Sequence, residues 1–128
     1  MTINSSQNEN YLLNLNSQMK VHLIKRQTLE SFKTKHARSK TSIDDWFEKL
    51  NYADWDEPVE IKNTYNSADL LGNGSNRVVF DIAGNNYRMI CKYAFGRRQI
   101  HLFICWIGTH SQYDKLCKSG LQYEINIY

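Results

Sequence analysis

The sequence predicts an α+β fold in which helices cover one face of a small antiparallel sheet and leave the other face free. One observation behind this prediction is a stretch of period-two alternation from Arg77 to Asp114, dense in β-branched and aromatic residues, which is typical of three consecutive strands. A second is the helical spacing of apolar residues earlier in the chain. The expected architecture is an N-terminal strand, two or three helices and then a three-strand meander.

The strands of this sheet are predicted from alternation and from turn residues. Alternation in the middle strand of the meander separates an apolar face from a face that carries Arg88 and Lys92. Turns are expected at Gly84-Asn85 and at Gly96, because glycine reaches the backbone angles of tight turns without strain. Residues 21–24, Val-His-Leu-Ile, predict the separate N-terminal strand.

The helices are expected between residues 28 and 65. The clearest pattern places four apolar residues at i, i+3, i+4 and i+7 as a core stripe: Ile43, Trp46, Phe47 and Leu50. This spacing favours packing in the core over stacking on nucleic-acid bases. Thr28 and Ser42 are the candidate N-caps of two helices. Residues 68–76, which contain two glycines, are expected to form a loop.

The length of 128 residues fits one domain with two short flanking segments. Residues 1–18 are rich in Asn and Ser and carry one charge, so we expect a flexible or peripheral N-terminal extension. Residues 19–117 are expected to form the domain itself. Residues 118–128 form a C-terminal tail whose alternating apolar residues permit an added strand, so that either this tail or a partner would pair with an exposed sheet edge.

Charge is distributed unevenly along the chain, although the net charge is only +3. The stretch from Asp44 to Glu60 contains seven acids and one base. The stretch from Asn86 to Lys118 contains six bases and one acid. Such segregation gives a folded protein one positive and one negative side, which favours a nucleic-acid binder over a membrane protein. The alternative is that the charges only solvate two surfaces.

Cysteine content and hydropathy predict a soluble cytoplasmic protein. The three cysteines are an odd number without paired spacing, which is typical of reduced thiols. The first twenty residues are polar, so no signal peptide is expected, and the longest apolar run, Leu102 to Ile107, is too short to cross a bilayer. We therefore expect no membrane association.

The basic face of the meander is a candidate phosphate-binding surface. Arg88 and Lys92 are four residues apart in one strand, which separates them by about 13 Å on the same face. That separation suits neighbouring phosphates, or one phosphate and one base edge. Arg77 opens the preceding strand and is expected near Arg88 across the hairpin. The alternative is an ordinary solvated sheet face.

The segment after the last strand carries candidate acid–base residues. Thr109 and Gln112 have the spacing of a capping box, which predicts a helix start. His110 and Tyr113 would then share one helix face, beside free amide groups that attract an anion. The alternative is that Tyr113 packs back on the sheet and His110 only caps the helix.

The chemistry open to these two side chains differs. An imidazole, with a reference pKa of ~6.5, acts as acid or base near neutral pH. A phenol, with a reference pKa of ~10, acts as a base only where neighbouring cations lower its pKa, and it otherwise stacks on a nucleic-acid base. Asp114 is a further candidate that would orient His110 or pair with Arg88.

Five segments resemble one known family, the HigB toxins of bacterial type II toxin–antitoxin systems, within the RelE superfamily. They are MKVHLIKRQTLESFKTKH from Met19, ADW at 53–55, IKNTY at 61–65, RVVFDIAGNNYR at 77–88 and WIGTHSQYDKL at 106–116. The resemblance covers Met19 to about Leu116. Residues 1–18 lie before the usual start of the family, and the tail after Lys118 also departs from its pattern.

The resemblance implies a RelE-like fold and an mRNA interferase, commonly acting on mRNA in the ribosomal A site. It implies a HigA-like helix-turn-helix antitoxin as partner, with operator DNA bound only through the antitoxin complex. The residues expected to carry catalysis are His110, Tyr113, Arg88 and Lys92. The residues expected to contact RNA are Arg77, Lys62, Arg97 and Arg98, although a charged turn also explains the last two.

Side chains alone are expected to catalyse the cleavage of RNA. His101, His110 and the cysteines lack the paired spacing of zinc ligands, and no carboxylate cluster for magnesium lies in the basic half, so we expect no metal and no cofactor. Metal-free RNA cleavage needs a base for the 2′-OH, positive charge on the phosphate and an acid for the leaving 5′-oxygen. The product would be a 2′,3′-cyclic phosphate or its hydrolysis product.

Two other functions remain open at this point. The superfamily also includes the ParE toxins, which inhibit gyrase without cutting RNA and would not need His110 and Tyr113 on one reactive surface. A catalytically inactive RNA-binding module is the third possibility, and it would show salt-sensitive RNA binding without a product.

Overall fold

The computed structural model describes residues 20–128, so the predictions for residues 1–18 and for a domain start at Met19 lie outside the described residues. The α+β class is confirmed. The strands are β1 (Val21–Ile24), β2 (Asp69–Leu71), β3 (Arg77–Ile82), β4 (Tyr87–Phe95) and β5 (Ile100–Thr109). The helices are α1 (Arg26–Lys35), α2 (Lys40–Leu50), α3 (Ile61–Thr64) and α4 (His110–Lys118). Single 3₁₀ turns lie at Ala37–Ser39, Pro58–Glu60 and Leu121–Tyr123.

The five strands form one sheet in the order β1-β5-β4-β3-β2. The β3-β4-β5 meander is confirmed, with its turns at residues 83–86 and 96–99. The sheet is mixed and not purely antiparallel, because β1 pairs in parallel with the first part of β5. Strand β2 lies inside the predicted loop and pairs with β3. Its three residues are too few to show a period-two pattern, so β2 was not predicted from the sequence.

Helices α1, α2 and α3 pack on one sheet face, which we call the inner face. The predicted core stripe of α2 is buried there, except that Phe47 is only half-buried at its margin. Trp46 meets the ring of Phe80 edge to face at 5.1 Å and stacks on Tyr65 at 5.5 Å. The expectation that Trp46 packs in the core is therefore confirmed.

The two predicted N-caps are wrong. Helix α1 begins at Arg26, before Thr28, and follows Lys25, which has a left-handed φ of 70°. Helix α2 begins at Lys40, directly after the 3₁₀ turn that ends at Ser39, and no side chain caps it. The Ser39 hydroxyl donates to the carbonyl of His36 at 2.6 Å, and this contact shapes the entry to α2. Helix boundaries of this kind depend on backbone turns that the apolar pattern does not encode.

The opposite face, which we call the outer face, is partly covered and not left free. Helix α4 packs on it through Tyr113 and Leu116, and the tail adds Ile125. Beneath them lies a second buried cluster of strand residues: Val79, Ile90, Cys105 and Trp106. A β-bulge at Ile90/Cys91 interrupts the pairing of β4 with β5. The polar side chains of the outer face therefore lie around a small apolar centre.

The tail does not form the added strand that its alternation permits. It contains one 3₁₀ turn, and Ile127 N then donates to the carbonyl of Cys105 at 3.0 Å. That carbonyl is available because β1 ends at Ile24, opposite Phe103, and leaves the remainder of β5 without a neighbour on that side. The tail thus crosses the outer face and reaches this open edge.

The acidic stretch is partly neutralised by lysines from elsewhere in the chain. Its ion pairs join Asp44 to Lys33 and Lys40, and Asp54 and Asp56 to Lys20. These lysines lie outside the windows over which sequence charges are counted, so the negative side is weaker than the sequence indicates. All three cysteines are free thiols. Within residues 20–128, no helix has the length and apolarity that crossing a membrane requires.

Candidate active site

The first turn of α4 is the best-defined part of the candidate site. Thr109 Oγ1 accepts from Gln112 N at 3.2 Å, and Gln112 Oε1 accepts from Thr109 N at 2.9 Å. This is the capping box that the sequence predicts, and it makes His110 the first helical residue. His110 N also donates to the carbonyl of Asn86 at 3.0 Å. The helix start is therefore held against the β3–β4 turn.

Gly108 lets the polypeptide make this close turn. A Cβ atom there would lie 2.6 Å from Gln112 Oε1 and 2.6 Å from the ring of Trp106. Real Cβ atoms do not approach other atoms so closely, so any larger residue would displace the cap or the indole. Gly108, the glycine of the Gly-Thr-His motif, is therefore required because a side chain would not fit. Its backbone conformation does not require glycine, since its φ is not in the left-handed region.

His110 and Asp114 lie one helical turn apart on the solvent side of α4. Their Nε2 and Oδ2 atoms are 3.4 Å apart, and the side chains are 47% and 56% exposed. An imidazole in this position is accessible to a ligand and has a carboxylate on one of its two nitrogens. Asp114 therefore contacts His110 and not Arg88, whose carboxylate partner is Asp81.

Tyr113 is half-buried against the outer face, with its ring centroid 6.1 Å from that of Trp106. Burial raises the pKa of the Tyr113 phenol well above its usual range, and Cys117 adds to this rise. The positive charge of Arg88 lowers the pKa but does not compensate. Neighbouring cations therefore do not lower the pKa of Tyr113 enough for it to act as a base, and the phenol stays protonated at neutral pH.

Arg88 lies at the same end of the sheet, opposite Gly108 on β5. Its Nε lies 3.0 Å from Asp81 Oδ1, and its side chain is 11% exposed. The other acceptors are the carbonyls of Tyr87 and Gly84 and the side chain of Asn85. Nη1 and Nη2 donate these three hydrogen bonds and Nε forms the ion pair with Asp81, so the guanidinium of Arg88 is held in a fixed orientation.

Lys92 lies on the outer face, four residues along β4 from Arg88, and is exposed. Its neighbours in register are Arg77 on β3 and Phe103 on β5. In the described part of the chain Lys92 forms no ion pair. Arg88, His110 and Tyr113 therefore lie together at one end of the outer face, and Lys92 lies apart from them along the sheet.

Arg77 does not lie at the position that was predicted from the sequence. The register sets Arg77 opposite Lys92, while Asp81 lies opposite Arg88, so the expected proximity of Arg77 to Arg88 is wrong. Arg77 is also only 5% exposed, beneath the tail. Its Nη1 donates to the carbonyls of Gln122 and Ile125. The reason is the hairpin length: the ladder contains six residue pairs, and the pair that contains Arg77 is four positions from the pair that contains Arg88.

The three remaining predicted RNA contacts are exposed but scattered. Arg97 and Arg98 lie in the β4–β5 turn, at the end of the sheet away from His110. Lys62 lies on α3, whose neighbouring residue Ile61 is buried in the inner-face core. The structure therefore does not bring Lys62 to the outer face with the other residues.

Sequence reasoning missed two residues that shape the site. Asp81 was not among the predicted site residues, yet it is the direct partner of Arg88. Trp106 appeared only as part of a motif, yet its ring supports Tyr113 and touches the position of Gly108. Counting residue pairs back from the hairpin turn at Gly84 would have predicted that Asp81 lies opposite Arg88. No pattern in the sequence predicts the contacts of Trp106. In residues 20–128, no group of three or more His, Cys, Asp or Glu side chains is placed to hold a metal ion.

Comparison with known proteins identifies the class to which this fold and site belong. A family model described as the RelE-like toxic component of a toxin–antitoxin system matches residues 39–116, more than half of the chain. The chain therefore belongs to the HigB toxin family. It is also similar to the mRNA interferase HigB of Escherichia coli O6:H1 (strain CFT073), with 24% identity over 98 residues that cover 77% of this chain and 93% of that protein. The family predicted from the motifs is confirmed.

Proposed function

We propose that this toxin is an endoribonuclease that cleaves mRNA. The observation that carries the proposal is the common location of His110, Tyr113 and Arg88, at the end of the outer face where α4 begins. A proton-transfer group, a phenol and a guanidinium at one accessible place are the groups that metal-independent phosphodiester cleavage uses. The similar E. coli protein carries the name mRNA interferase, which supports the same reaction.

His110 is the proton-transfer group in this proposal. It takes the proton of a ribose 2′-OH as the O2′–P bond forms, and the proton returns to the 5′-oxygen as the P–O5′ bond breaks. The products are a 2′,3′-cyclic phosphate and a 5′-OH, so atoms and charge balance without a metal. Asp114, at 3.4 Å, orients the imidazole.

Arg88 and Tyr113 stabilise the phosphate in this scheme. Arg88 offers a guanidinium that four contacts already orient, so little reorganisation is needed in the transition state. Tyr113, kept protonated by burial, acts as a hydrogen-bond donor to a phosphate oxygen and not as a base. Lys92 contributes farther along the sheet by binding a neighbouring phosphate of the strand.

We further propose that the substrate is mRNA on the ribosome, in the cytoplasm. The exposed Arg97 and Arg98 at the far end of the sheet suit contacts with the backbone of ribosomal RNA or substrate. Lys62, on the helical layer, would then contact a different RNA segment or none. These contacts carry no base specificity, so codon choice would depend on the ribosome.

The proposed partner is a HigA-like helix-turn-helix antitoxin, and operator DNA is bound only through that complex. The surface of α2 and the connection to α3 remains a candidate for this partner. Asp45, Glu48 and Glu57 are exposed there, and none forms an ion pair within residues 20–128. A basic segment of an antitoxin would complement them.

The direct test is to express the toxin without an antitoxin and to map new 5′ ends in cellular transcripts. We expect growth arrest with cleavage inside coding regions, and we expect His110→Ala to lower the cleavage rate by roughly 10²- to 10⁴-fold. Growth arrest with intact transcripts would contradict the proposal. Inhibition of gyrase supercoiling by the purified toxin would then identify the ParE-like alternative.

A reconstituted assay separates the finer parts of the proposal. Purified toxin is mixed with mRNA, with and without programmed ribosomes, in buffer that contains EDTA. Cleavage that needs ribosomes and survives EDTA is expected. Cleavage of free RNA at equal rate would remove the ribosome from the proposal, and loss of cleavage in EDTA with ribosomes kept intact by polyamines would remove metal independence.

A further inference from the structure

Arg77 is a buried cation without a buried anion. Its side chain is 5% exposed, and no carboxylate in the described residues forms an ion pair with it. Its acceptors are two neutral backbone carbonyls, those of Gln122 and Ile125, and its Nε is buried without any partner. Burial of a charge that is only partly hydrogen-bonded is unfavourable. The guanidinium is therefore better suited to an anion than to its present partners.

A second cation lies directly beside Arg77. Lys92 occupies the opposite position on β4, so their Cα atoms are about 5 Å apart and their side chains share the outer face. Like charges opposite each other in a sheet are destabilising. A single phosphate between Arg77 and Lys92 would neutralise this repulsion and use the free Nε as a donor.

The tail that covers Arg77 leaves polar atoms unpaired where it contacts the outer face. The side-chain oxygen of Gln122 is buried without a hydrogen-bond partner. Ile125 packs on the outer-face cluster, whereas Ile127 is 59% exposed and contributes mainly its N–H, which donates to Cys105. When an interface with unpaired polar atoms on both sides opens, water can pair with these atoms, so the free-energy cost of opening is small. The tail also lies beyond residue 116, where the match to the family model ends.

The path of the tail adds a geometrical argument. It runs from Arg77 on β3 to Cys105 on β5, and so crosses the outer face between the His110 end and Phe103. A strand of RNA that contacts both Arg88 and Lys92 must cross the same surface. The RNA and the tail therefore compete for one place.

We propose that Arg77 and Lys92 form a phosphate-binding site for the RNA strand, and that the part of the C-terminal tail after α4, residues 119–128, closes this site until RNA displaces it. The identity of the ligand as RNA rests on the proposed function. The exchange is favourable because the positive guanidinium then bonds to a negatively charged phosphate, an ion pair that neutral carbonyls cannot form. Strand binding thereby opens the path that connects the reactive end of the sheet to Lys92.

The test follows the amide of Ile127 in the full chain, by hydrogen exchange, with and without a 2′-O-methyl RNA oligonucleotide. This probe lacks the 2′-OH and resists cleavage, so binding is measured whether or not the protein is a nuclease. We expect the amide to exchange at least tenfold faster when the oligonucleotide saturates the protein. Unchanged or slower exchange at saturation would overturn the proposal.

Variants of the full chain supply a second readout. Ile127→Pro removes the N–H that bonds to Cys105, whereas Ile127→Ala keeps it. Ile127→Pro is expected to bind the 2′-O-methyl oligonucleotide about 3- to 10-fold more tightly than Ile127→Ala, because the tail then competes less with the oligonucleotide for the outer face. Equal affinities of the proline and alanine variants would contradict competition by the tail.

The role of Arg77 itself is tested against a matched arginine. Arg77→Gln is expected to weaken oligonucleotide binding by about tenfold and to reduce the dependence of affinity on salt by about one phosphate contact. Arg38→Gln, at an exposed arginine beside α2, is expected to change neither. Equal effects of the two substitutions would overturn the site. Failure of cleavage with this binding pattern intact would overturn the nuclease proposal and leave the phosphate site standing.

Discussion

His110 Nε2 lies 3.4 Å from Asp114 Oδ2, and both side chains are about half exposed to solvent. Ion pairs of this exposure contribute less than about 1 kcal/mol, whereas a proton-transfer group contributes far more to the rate. We therefore expect Asp114→Asn to lower the single-turnover cleavage rate by no more than about fivefold. Asp45→Asn, an exposed carboxylate on the helical layer, serves as the control and should leave the rate unchanged. A loss as large as that of His110→Ala would place Asp114 in the chemistry itself.

The fixed orientation of Arg88 predicts that lysine cannot replace it. Four acceptors hold its guanidinium, including Asp81 at 3.0 Å, and a lysine ammonium offers no planar fork to match them. Arg88→Lys should lower the cleavage rate at least tenfold, nearly as much as Arg88→Ala. Arg38→Lys, at an exposed arginine beside α2, should retain the rate of the unmodified toxin. Full activity of Arg88→Lys would show that only its charge matters.

Gly108 predicts a loss of both stability and activity when a methyl group is added. The new Cβ would lie 2.6 Å from Gln112 Oε1 and from the ring of Trp106, so either the capping box or the indole must move. Gly108→Ala should lower the free energy of unfolding by about 1–3 kcal/mol, measured by urea denaturation, and should slow cleavage by shifting His110. The control is Gly72→Ala, where nothing lies within 4 Å and the backbone is unstrained. Equal stability of the two variants would contradict the close packing.

Two tyrosines, buried Tyr65 and half-buried Tyr113, predict how stability changes at alkaline pH. Burial raises the pKa of both Tyr65 and Tyr113 above the ~10 of an unfolded chain. Below pH 10 both states keep these protons, so the stability that depends on them is fully present. Above pH 10 the unfolded state loses its protons first, and the free energy of unfolding therefore falls as pH rises.

Tyr65→Phe tests this sign. The variant should lose about 1 kcal/mol at pH 7, because the Tyr65 hydroxyl donates to the carbonyl of Trp46 at 2.6 Å. Between pH 10 and 12 its stability should fall less steeply, by about 1.4 kcal/mol per pH unit for the missing phenol. Urea unfolding at a series of pH values measures both effects. Tyr52→Phe, at a side chain that is 81% exposed, should match the unmodified toxin throughout.

Features with a strong local signal were predictable. The meander follows from alternation and its turn glycines, the α2 stripe from its spacing, and the start of α4 from the capping box of Thr109 and Gln112. The positions of the candidate residues His110 and Tyr113 on one helical turn follow from that capping box. Each of these features involves residues within about one turn or one hairpin of each other.

Features that depend on register or on distant segments were not predictable. Arg77 was expected beside Arg88, yet it lies opposite Lys92 and donates to Gln122, 45 residues away. The raised pKa of Tyr113 likewise results from burial against Trp106 and the outer face, which no spacing of residues reveals. The parallel pairing of β1 with β5 joins segments about eighty residues apart, so the sequence shows a strand there but no partner.

Local physical chemistry in the amino-acid sequence was therefore enough to predict the fold class and the start of α4, because periodicity, capping and glycine turns act over a few residues. The family was predicted from motifs that resemble it. The three-dimensional packing alone revealed which cations remain accessible. Arg88 is paired with Asp81, Arg77 is covered by the tail and Lys92 is exposed, although all three look alike in the chain. Charge accessibility depends on which distant segment lies above a side chain, and this is a property of the folded protein.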